Sequence, residues 1–136
     1  MERDILLRTK SIHAPISPED GYRISIMSRH TLNDGVTVDP RITAGIFDEW
    51  IKELAPPDTL IGTYYKRGLP WEEFEKQYLE FLREPKKQSR VKQLIELAKT
   101  RDITLLCVEN TPEHCHRRLL AEECQRLEPK IRIILT

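Results

Sequence analysis

A segment near the carboxyl end of the chain concentrates side chains that can do chemistry. The sequence CVENTPEHCHRR, Cys107 to Arg118, holds two cysteines, two histidines, two arginines and two glutamates. Such side chains can ligate a metal, pair a nucleophile with its base or bind an anion. They can also simply end a strand and begin a helix, so the elements around the segment must decide between these readings.

The spacing in this segment argues against several specific sites. A cysteine phosphatase loop has an arginine six residues after its cysteine, but Glu113 and Ala121 stand six residues after Cys107 and Cys115. A glycine-rich phosphate loop is excluded because the segment contains no glycine. A structural zinc site needs four cysteine or histidine ligands in paired spacings. Cys107, Cys115 and His116 are the local candidates, and Cys107 is expected to point inward, so we predict no metal and no cofactor.

The flanking sequence predicts a strand, a helix and a second strand. Residues Ile103 to Val108 form a continuous apolar run, which is typical of a strand buried on both faces of a parallel sheet. A helix is expected from about Pro112 to Leu127, capped by Asn110 or Thr111, and a strand from Ile131 to Leu135. The chemical segment then leaves the carboxyl end of a strand in a βαβ unit, where open α/β sheets bind ligands.

One face of the predicted helix is apolar and includes a histidine. At about 100° per residue, His116 lies one turn before Leu120 and should point back toward the strand end, where Glu109 emerges. Cys115 lies in the first turn, where the helix dipole lowers the pKa of a thiol, and Arg117 flanks the apolar face. We therefore expect Glu109, Cys115, His116 and Arg117 to rim one cleft.

Structural roles without chemistry remain open for the same residues. His116 could be hydrogen-bonded to a loop carbonyl, and Glu109 could pair with Arg117 or cap a neighbouring helix. Cys107 and Cys124 are expected to fill the core, because a free cysteine behaves as a small hydrophobic residue. Solvated positions on the helix surface are expected for His114 and Arg118.

The rest of the chain predicts two early strands and four helices before the βαβ unit. The strands are expected at Asp4–Lys10 and Tyr22–Arg29. The helices are expected after Asp39-Pro40 (with an apolar stripe of Ile46, Phe47, Trp50 and Leu54), from Asp58 to the terminating Gly68, after Pro70, and along Val91–Ala98, the last two joined by a charged linker at Glu84–Arg90. These elements predict one α/β domain over residues 1–136, a small layered fold with a partly parallel sheet of about four strands flanked by helices.

Composition restricts the partners. The chain has 136 residues and a formal net charge of zero, with 22 basic and 22 acidic residues, so it has no global attraction for nucleic acid or an anionic membrane. No apolar stretch approaches the roughly 18 residues of a membrane span. Three cysteines without an export signal predict reduced thiols in the cytoplasm. The oligomeric state is left open.

The segment LLCVENTPEHCHRRLLAEE resembles the carboxyl-terminal signature of the domain of unknown function 488 family. That signature is an aliphatic strand, C-x-E, a few polar residues and then C-H-R opening a helix. SPEDGYRISIMSR, FDEWIKELAPP and WEEFEKQYLEFLR are similar to the YeaO-like branch of the family, so the resemblance spans nearly the whole chain. It implies a bacterial or archaeal cytoplasmic α/β domain with no established reaction. In this chain the signature falls on Cys107, Glu109, Cys115, His116 and Arg117.

The chain departs from that branch after its second strand. The branch usually has an aspartate before the strand-ending arginine and a loop resembling tryptophan-proline-arginine-glycine after it. This chain reads MSRHTLNDG, with Ser28 before Arg29 and no tryptophan. If that loop shapes a ligand pocket, the departure implies a different ligand.

Our leading hypothesis is that the domain binds a small anionic, nucleotide-like ligand at Cys107–Arg117. The helix N-terminus would supply amide donors, Cys115 would lie beside the ligand, and Arg29 and Arg117 would be charge partners. If the ligand reacts, Glu109 would be the general base and His116 the acid or orienting group. An enzymatic role does not follow from these residues alone.

Two other classes of function remain. Cys115 and Cys107 could form a thiol redox or metal-linked site. A nucleic-acid-associated module is suggested by YYKRG, Tyr64–Gly68, in which two aromatics that can stack on bases adjoin two basic residues. The same residues also fit a helix end, where basic side chains offset the helix dipole before a terminating glycine.

Overall fold

The computed structural model describes residues 5–32, 34, 36–109 and 113–136. Within these residues the chain forms a five-stranded sheet, in the order β3-β2-β4-β1-β5, and four α-helices. Every strand pair is parallel, which confirms the predicted α/β class with one strand more than expected. The elements are β1 (Ile5–Ser11), β2 (Tyr22–Ser25), β3 (Glu49–Trp50), α1 (Asp58–Arg67), α2 (Trp71–Leu82), α3 (Pro85–Thr100), β4 (Ile103–Cys107), α4 (His116–Leu127) and β5 (Ile131–Ile134).

The apolar run predicted as a buried strand is the centre of the sheet. β4 pairs with β1 on one side and with β2 on the other, and all of its residues are buried. Leu7, Ile24 and Leu105 share one core with the apolar faces of the helices. The opposite face carries charge, because Arg8 and Arg23 both lie in register with Thr104. A parallel strand with neighbours on both sides is typically apolar along its length, and in β4 the exception, Thr104, is buried with its hydroxyl donating to the Asp20 carbonyl.

Three of the predicted helices are confirmed. α1 ends at Gly68, whose φ of 71° is the left-handed conformation that glycine adopts readily. α2 begins directly after Pro70 and buries Phe74, Tyr78 and Leu82, which are four residues apart on one face. Burial of each such side chain contributes about 1.5–3 kcal/mol. α2 packs against α1, α3 and α4, while α4 packs on β1, β4 and β5.

The helix predicted after Asp39-Pro40 is wrong. The Asp39 carboxylate accepts a hydrogen bond from the Arg41 backbone N–H and so closes a short turn instead of capping a helix. Residues further on pair with β2, because the N–H groups of Asp48 and Ile51 donate to the carbonyls of Arg23 and Ser25. This pairing makes the short strand β3 and two 3-10 turns from a stripe that resembled an amphipathic helix.

Several boundaries also differ from the prediction: β2, for example, ends at Ser25 and not at Arg29. The expected linker at Glu84–Arg90 belongs to α3, which begins at Pro85 and leaves its first polar turns exposed. α4 begins at His116, with Cys115 at its N-cap, and not near Pro112. The proposed caps Asn110 and Thr111, and Pro112 itself, lie outside the described residues.

In a simple βαβ unit the two strands are neighbours in the sheet, but β4 and β5 are not. β5 pairs with β1, so β1 lies between the two strands that α4 connects. This arrangement brings the end of the chain to the edge of the sheet, and the Thr136 backbone N–H donates to Thr9 Oγ1 at 3.3 Å. In the part of the chain that the structure describes, no helix is long and apolar enough to cross a membrane.

Candidate functional site

A cleft of about 700 Å³ lies at the carboxyl ends of β2 and β4. This is the edge at which open α/β sheets bind ligands, and the volume is that of a small-molecule site. Residues after β2, the end of β4 and the residues that open α4 form its base, and α1 and α2 form a wall. The predicted residues on its lining are Arg29, Cys107, Glu109, Cys115 and His116.

Two thiols and an imidazole meet at the base of the cleft. Cys107, Cys115 and His116 are all buried, and their ligand atoms lie within 4.8 Å of one another. The Cys107 sulfur is 3.5 Å from His116 Nδ1 and 3.6 Å from Nε2. His116 Nε2 is 2.7 Å from the Ile26 carbonyl oxygen, so we assign its proton to Nε2 and its lone pair to Nδ1. The histidine thus reaches a backbone carbonyl after β2 and not Glu109.

Burial and neighbouring groups shift the pKa values of these three side chains in different ways. Burial lowers the pKa of His116 to about 4, so its ring is neutral at neutral pH. Burial and then the neighbouring Cys115 raise the pKa of Cys107 well above its usual value. Burial also acts to raise the pKa of Cys115, but the hydrogen bond with Cys107 and the charge of Arg117 outweigh it, and the net shift is downward. Cys115 is therefore the more acidic of these two thiols.

Arg117 lies behind the cleft instead of at its rim, where it was expected. Its side chain is fully buried. One terminal nitrogen donates to the Glu109 carbonyl at 2.8 Å and to the Cys115 sulfur at 3.3 Å, and the other donates to the Thr136 carbonyl at 3.0 Å. The residue therefore ties the end of β4, the start of α4 and the end of the chain together. Its position results from tertiary packing around the helix, which periodicity alone does not give.

Glu109 is held in the cleft by a residue from another helix. The hydroxyl of Tyr65, in α1, donates to Glu109 Oε1 at 2.5 Å. Burial and this hydrogen bond raise the pKa of Tyr65, so the hydroxyl keeps its proton and Glu109 acts as the acceptor. The sequence-based alternatives for Glu109, an ion pair with Arg117 or a helix cap, do not match this contact: Arg117 binds the backbone carbonyl of Glu109.

Arg29 faces the cleft from the segment after β2. Its side chain is 45% exposed, and its Nε donates to Asp58 Oδ1, at the start of α1, at 3.4 Å. Thr31 and Leu32, in the loop that departs from the YeaO-like pattern, also line the cleft. The departure in sequence therefore falls on the wall of the candidate site.

The aromatic side of the cleft was missed by sequence reasoning. Four rings line it, and we call them the aromatic wall: Tyr64, Tyr65, Trp71 and Phe74. Trp71 stacks on His114 with ring centroids 4.8 Å apart, so this exposed histidine also borders the cleft. From the sequence, Trp71 and Phe74 were assigned only to one apolar helix face, and their position on the lining of the cleft was not predicted. The tyrosine pair was noticed, but its position opposite β4 depends on the packing of α1 against α2.

Comparison with known proteins identifies a family. The family model DUF488-N3a, described as the active DUF488-N3 subclade, matches residues 7–126, which run from within β1 to the last turn of α4 and leave out β5. No curated protein and no solved structure shows significant similarity to the chain. The match agrees with the resemblance of the Cys107–Arg117 segment and extends over most of the sequence. The chain belongs to the DUF488-N3a family.

Proposed function

We propose that this domain binds a small anionic, nucleotide-like ligand in the cleft at the carboxyl ends of β2 and β4. One observation carries the proposal: the cleft combines the aromatic wall with basic side chains at the ligand-binding edge of a parallel sheet. Small-molecule sites are typically lined by apolar and aromatic groups with a few polar groups that fix orientation.

The aromatic wall suits a planar ring. Trp71 and Phe74 are stacked with centroids 5.2 Å apart and Tyr64 is 4.9 Å from Phe74, so the wall is a rigid surface. A base or similar ring that stacks on such a surface gains about 1–3 kcal/mol. This feature supports a ligand with a flat aromatic part.

The polar groups of the cleft suit the remaining parts of a nucleotide. Arg29 and Lys66 supply positive charge for a phosphate or carboxylate, and the first turn of α4 adds backbone donors nearby. Asp58 and Glu109 supply acceptors for hydroxyl or amino groups of the same ligand. A nucleoside monophosphate offers an anion, hydroxyl groups and a ring within one molecule.

Each predicted site residue takes a role that its position supports. Arg29 and Cys115 contact the ligand, and Arg117 positions Cys115 and the Glu109 backbone from behind. If the ligand reacts, Glu109 is the proposed general base, because Tyr65 fixes its carboxylate toward the cleft. The contact of His116 Nε2 with the Ile26 carbonyl favours an orienting role for His116 over proton donation. The word active in the description of the matched subclade supports a working site.

The free thiols support a reducing compartment. Cys107, Cys115 and Cys124 are all buried and unpaired. Because disulfides are rare in the cytosol, we propose that this domain works in the cytoplasm.

The proposal is tested by a ligand screen on the full chain. The probes are AMP, GMP, CMP, UMP, adenosine and inorganic phosphate, measured by thermal shift and then by calorimetry. We expect at least one monophosphate to bind more tightly than both adenosine and phosphate, because only the monophosphate uses the aromatic wall and the basic groups together. If none of the six probes binds at millimolar concentration, the proposal fails.

Matched variants localise the binding. Lys66 lines the cleft whereas its neighbour Arg67 does not, so Lys66→Gln should weaken binding about 10-fold and Arg67→Gln should leave it unchanged. Trp71→Ala should reduce binding more strongly, because it removes the stacking surface. Equal effects of Lys66→Gln and Arg67→Gln would place the ligand elsewhere.

Binding of single-stranded oligonucleotides distinguishes the nucleic-acid alternative from the cleft proposal. That alternative requires binding of an oligonucleotide whose affinity falls steeply with salt, since phosphate contacts release counterions. The cleft proposal instead expects that the monophosphate competes with any bound oligonucleotide and that lengthening the strand adds little affinity.

A further inference from the structure

Cys107, Cys115 and His116 lie close together at the base of the cleft. A backbone carbonyl 90 residues earlier in the chain, that of Ile26, orients the histidine ring. Cys107 is the last residue of β4, Cys115 is the N-cap of α4, and His116 is the first residue of that helix. We propose that these three residues form a metal site for Zn²⁺, with an open coordination position facing the cleft. The site does not depend on the identity of the ligand proposed above.

The distances fit zinc. Bonds of about 2.3 Å for Zn–S and about 2.0–2.1 Å for Zn–N place neighbouring ligand atoms of a tetrahedral site about 3.5–3.8 Å apart. The Cys107 sulfur and His116 Nδ1 are 3.5 Å apart, and all three ligand atoms lie within 4.8 Å of one another. The separation of the Cys107 sulfur and His116 Nδ1 is therefore already that of two ligands on one zinc ion.

The groups around the cluster resemble the outer shell of a metal site. A histidine that ligates a metal usually donates its other ring N–H to a carbonyl or carboxylate, which fixes the ring. The hydrogen bond from His116 Nε2 to the Ile26 carbonyl, at 2.7 Å, has this form and leaves Nδ1, 3.5 Å from the Cys107 sulfur, available as a ligand. On the other side, Arg117 donates to the Cys115 sulfur at 3.3 Å.

The number and position of the ligands indicate an open site. Structural zinc sites are closed by four protein ligands, whereas a set of two cysteines and one histidine with water or substrate in the fourth position is a known catalytic arrangement. All three residues line the cleft, so a bound molecule can approach the metal from that side. Soft thiolate ligands also favour zinc over magnesium or calcium.

The first test measures metal in the full chain, expressed without a histidine tag and purified under reducing conditions without chelators. We expect about one Zn²⁺ per chain by mass spectrometry of the metal. X-ray absorption at the zinc edge should show two sulfur neighbours and lighter nitrogen or oxygen neighbours. Reconstitution of metal-free protein with Co²⁺ should give a thiolate-to-cobalt charge-transfer band and the spectrum of a four-coordinate ion.

Variants assign the ligands, with the third cysteine as the matched control. Cys107→Ser, Cys115→Ser and His116→Gln should each weaken Co²⁺ binding about 100-fold or more, since loss of an outer-shell partner alone costs about 10- to 100-fold. Cys124 is equally buried but lies outside the cluster, so Cys124→Ser should bind Co²⁺ as the wild type does. Circular dichroism identifies variants that fail to fold, and for these the absorption spectrum of the wild type decides.

Three outcomes would overturn the proposal. The first is reduced wild-type protein that takes up no Zn²⁺ or Co²⁺ at micromolar free metal. The second is metal binding that survives both cysteine substitutions. The third is formation of a Cys107–Cys115 disulfide under mild oxidation in protein that binds no metal, which would make the cluster a redox pair.

Discussion

Helix α4 buries a charged side chain near each of its ends, and the two charges are compensated in different ways. Glu123, in the second half of the helix, is 1% exposed. It accepts from Arg83 at 3.1 Å and from Arg126 at 2.8 Å, and Gln88 adds a third donor at 3.4 Å. Its negative charge is therefore matched by two guanidinium groups that themselves reach solvent.

Arg117, in the first turn, has a different environment. It is fully buried, and its terminal nitrogens donate to two backbone carbonyls and to the sulfur of Cys115. Within residues 5–32, 34, 36–109 and 113–136, no carboxylate side chain forms an ion pair with it and no group accepts a hydrogen bond from its Nε. A buried cation without a carboxylate side chain beside it is costly, and the charge of Arg117 is one of the causes that lower the pKa of the neighbouring Cys115.

The difference suggests that Glu123 serves the stability of the fold, whereas Arg117 also serves the candidate site. At Glu123 the charges compensate one another, and the group can be understood by stability alone. At Arg117 the positive charge is directed toward a thiol at the base of a cleft, where it favours a thiolate or a bound anion. A perturbation of the first group should change only the folding equilibrium, whereas a perturbation of the second should also change the site.

The largest effect is expected from Arg117→Met. The substitution removes the donors to the Glu109 and Thr136 carbonyls, and unsatisfied buried groups cost about 1–3 kcal/mol each. We expect the free energy of unfolding to fall by about 2–4 kcal/mol, measured by urea denaturation. The neighbouring Arg118 is the control: its half-buried side chain donates to the Glu113 carbonyl and pairs with Glu122, but both partners belong to exposed residues that can return to water, so Arg118→Met should cost about 1 kcal/mol. Similar losses in both variants would contradict the role given to the buried guanidinium.

A smaller effect is expected from Glu123→Gln. The variant loses the ion pairs, but Arg83 and Arg126 are each about half exposed and can return to water. The expected loss is about 1–3 kcal/mol in the same measurement. Glu122→Gln is the matched control because the adjacent Glu122 is exposed. In addition, Glu123→Gln should leave Co²⁺ and monophosphate binding at wild-type values, and a change in either would show that the two ends of α4 are coupled.

Acid should remove the contribution of Glu123. Burial opposes ionisation of this carboxyl, but the hydrogen bonds from Arg126 and Arg83 outweigh it and lower its pKa from 4.5 to about 2. A depressed pKa stabilises the fold at pH values above the unfolded value, and this contribution is lost as the pH falls toward the folded value. The stability difference between wild type and Glu123→Gln should therefore shrink between pH 4.5 and about 2. A difference that stayed constant over that interval would contradict the assignment.

The smallest effect is expected from Tyr65→Phe. Its hydrogen bond to Glu109 lies at the edge of the cleft, and a bond of this kind contributes about 0.5–1.5 kcal/mol. A double-mutant cycle with Glu109→Gln, measured by urea denaturation, should give a coupling energy of about 0.5–1 kcal/mol. Additive effects of the two substitutions would show that the contact does not hold Glu109 in place.

Local sequence determined the elements that carry the candidate site. The apolar run at Ile103–Cys107 predicted a buried strand, and the spacing of His116, Leu120 and Cys124 predicted a helix with one inward face. These patterns depend on residues a few positions apart, so they place the Cys107–Arg117 segment at the carboxyl end of a central strand without knowledge of its neighbours. The inward position of Cys107 was also predicted, although it was taken as evidence against a metal.

Tertiary structure decided what this segment meets. The buried Cys107 side chain contacts His116. The ring of His116 is in turn fixed by the carbonyl of Ile26, which follows β2 and lies 90 residues earlier in the chain. The hydroxyl that holds Glu109 belongs to α1, 44 residues earlier. Burial of Arg117 depends on Thr136, which is beside it because β5 pairs with β1. Periodicity reports which face of an element is buried, but the partners on that face follow from the packing of distant elements, and that packing alone joined two thiols, an imidazole and an aromatic wall in one cleft.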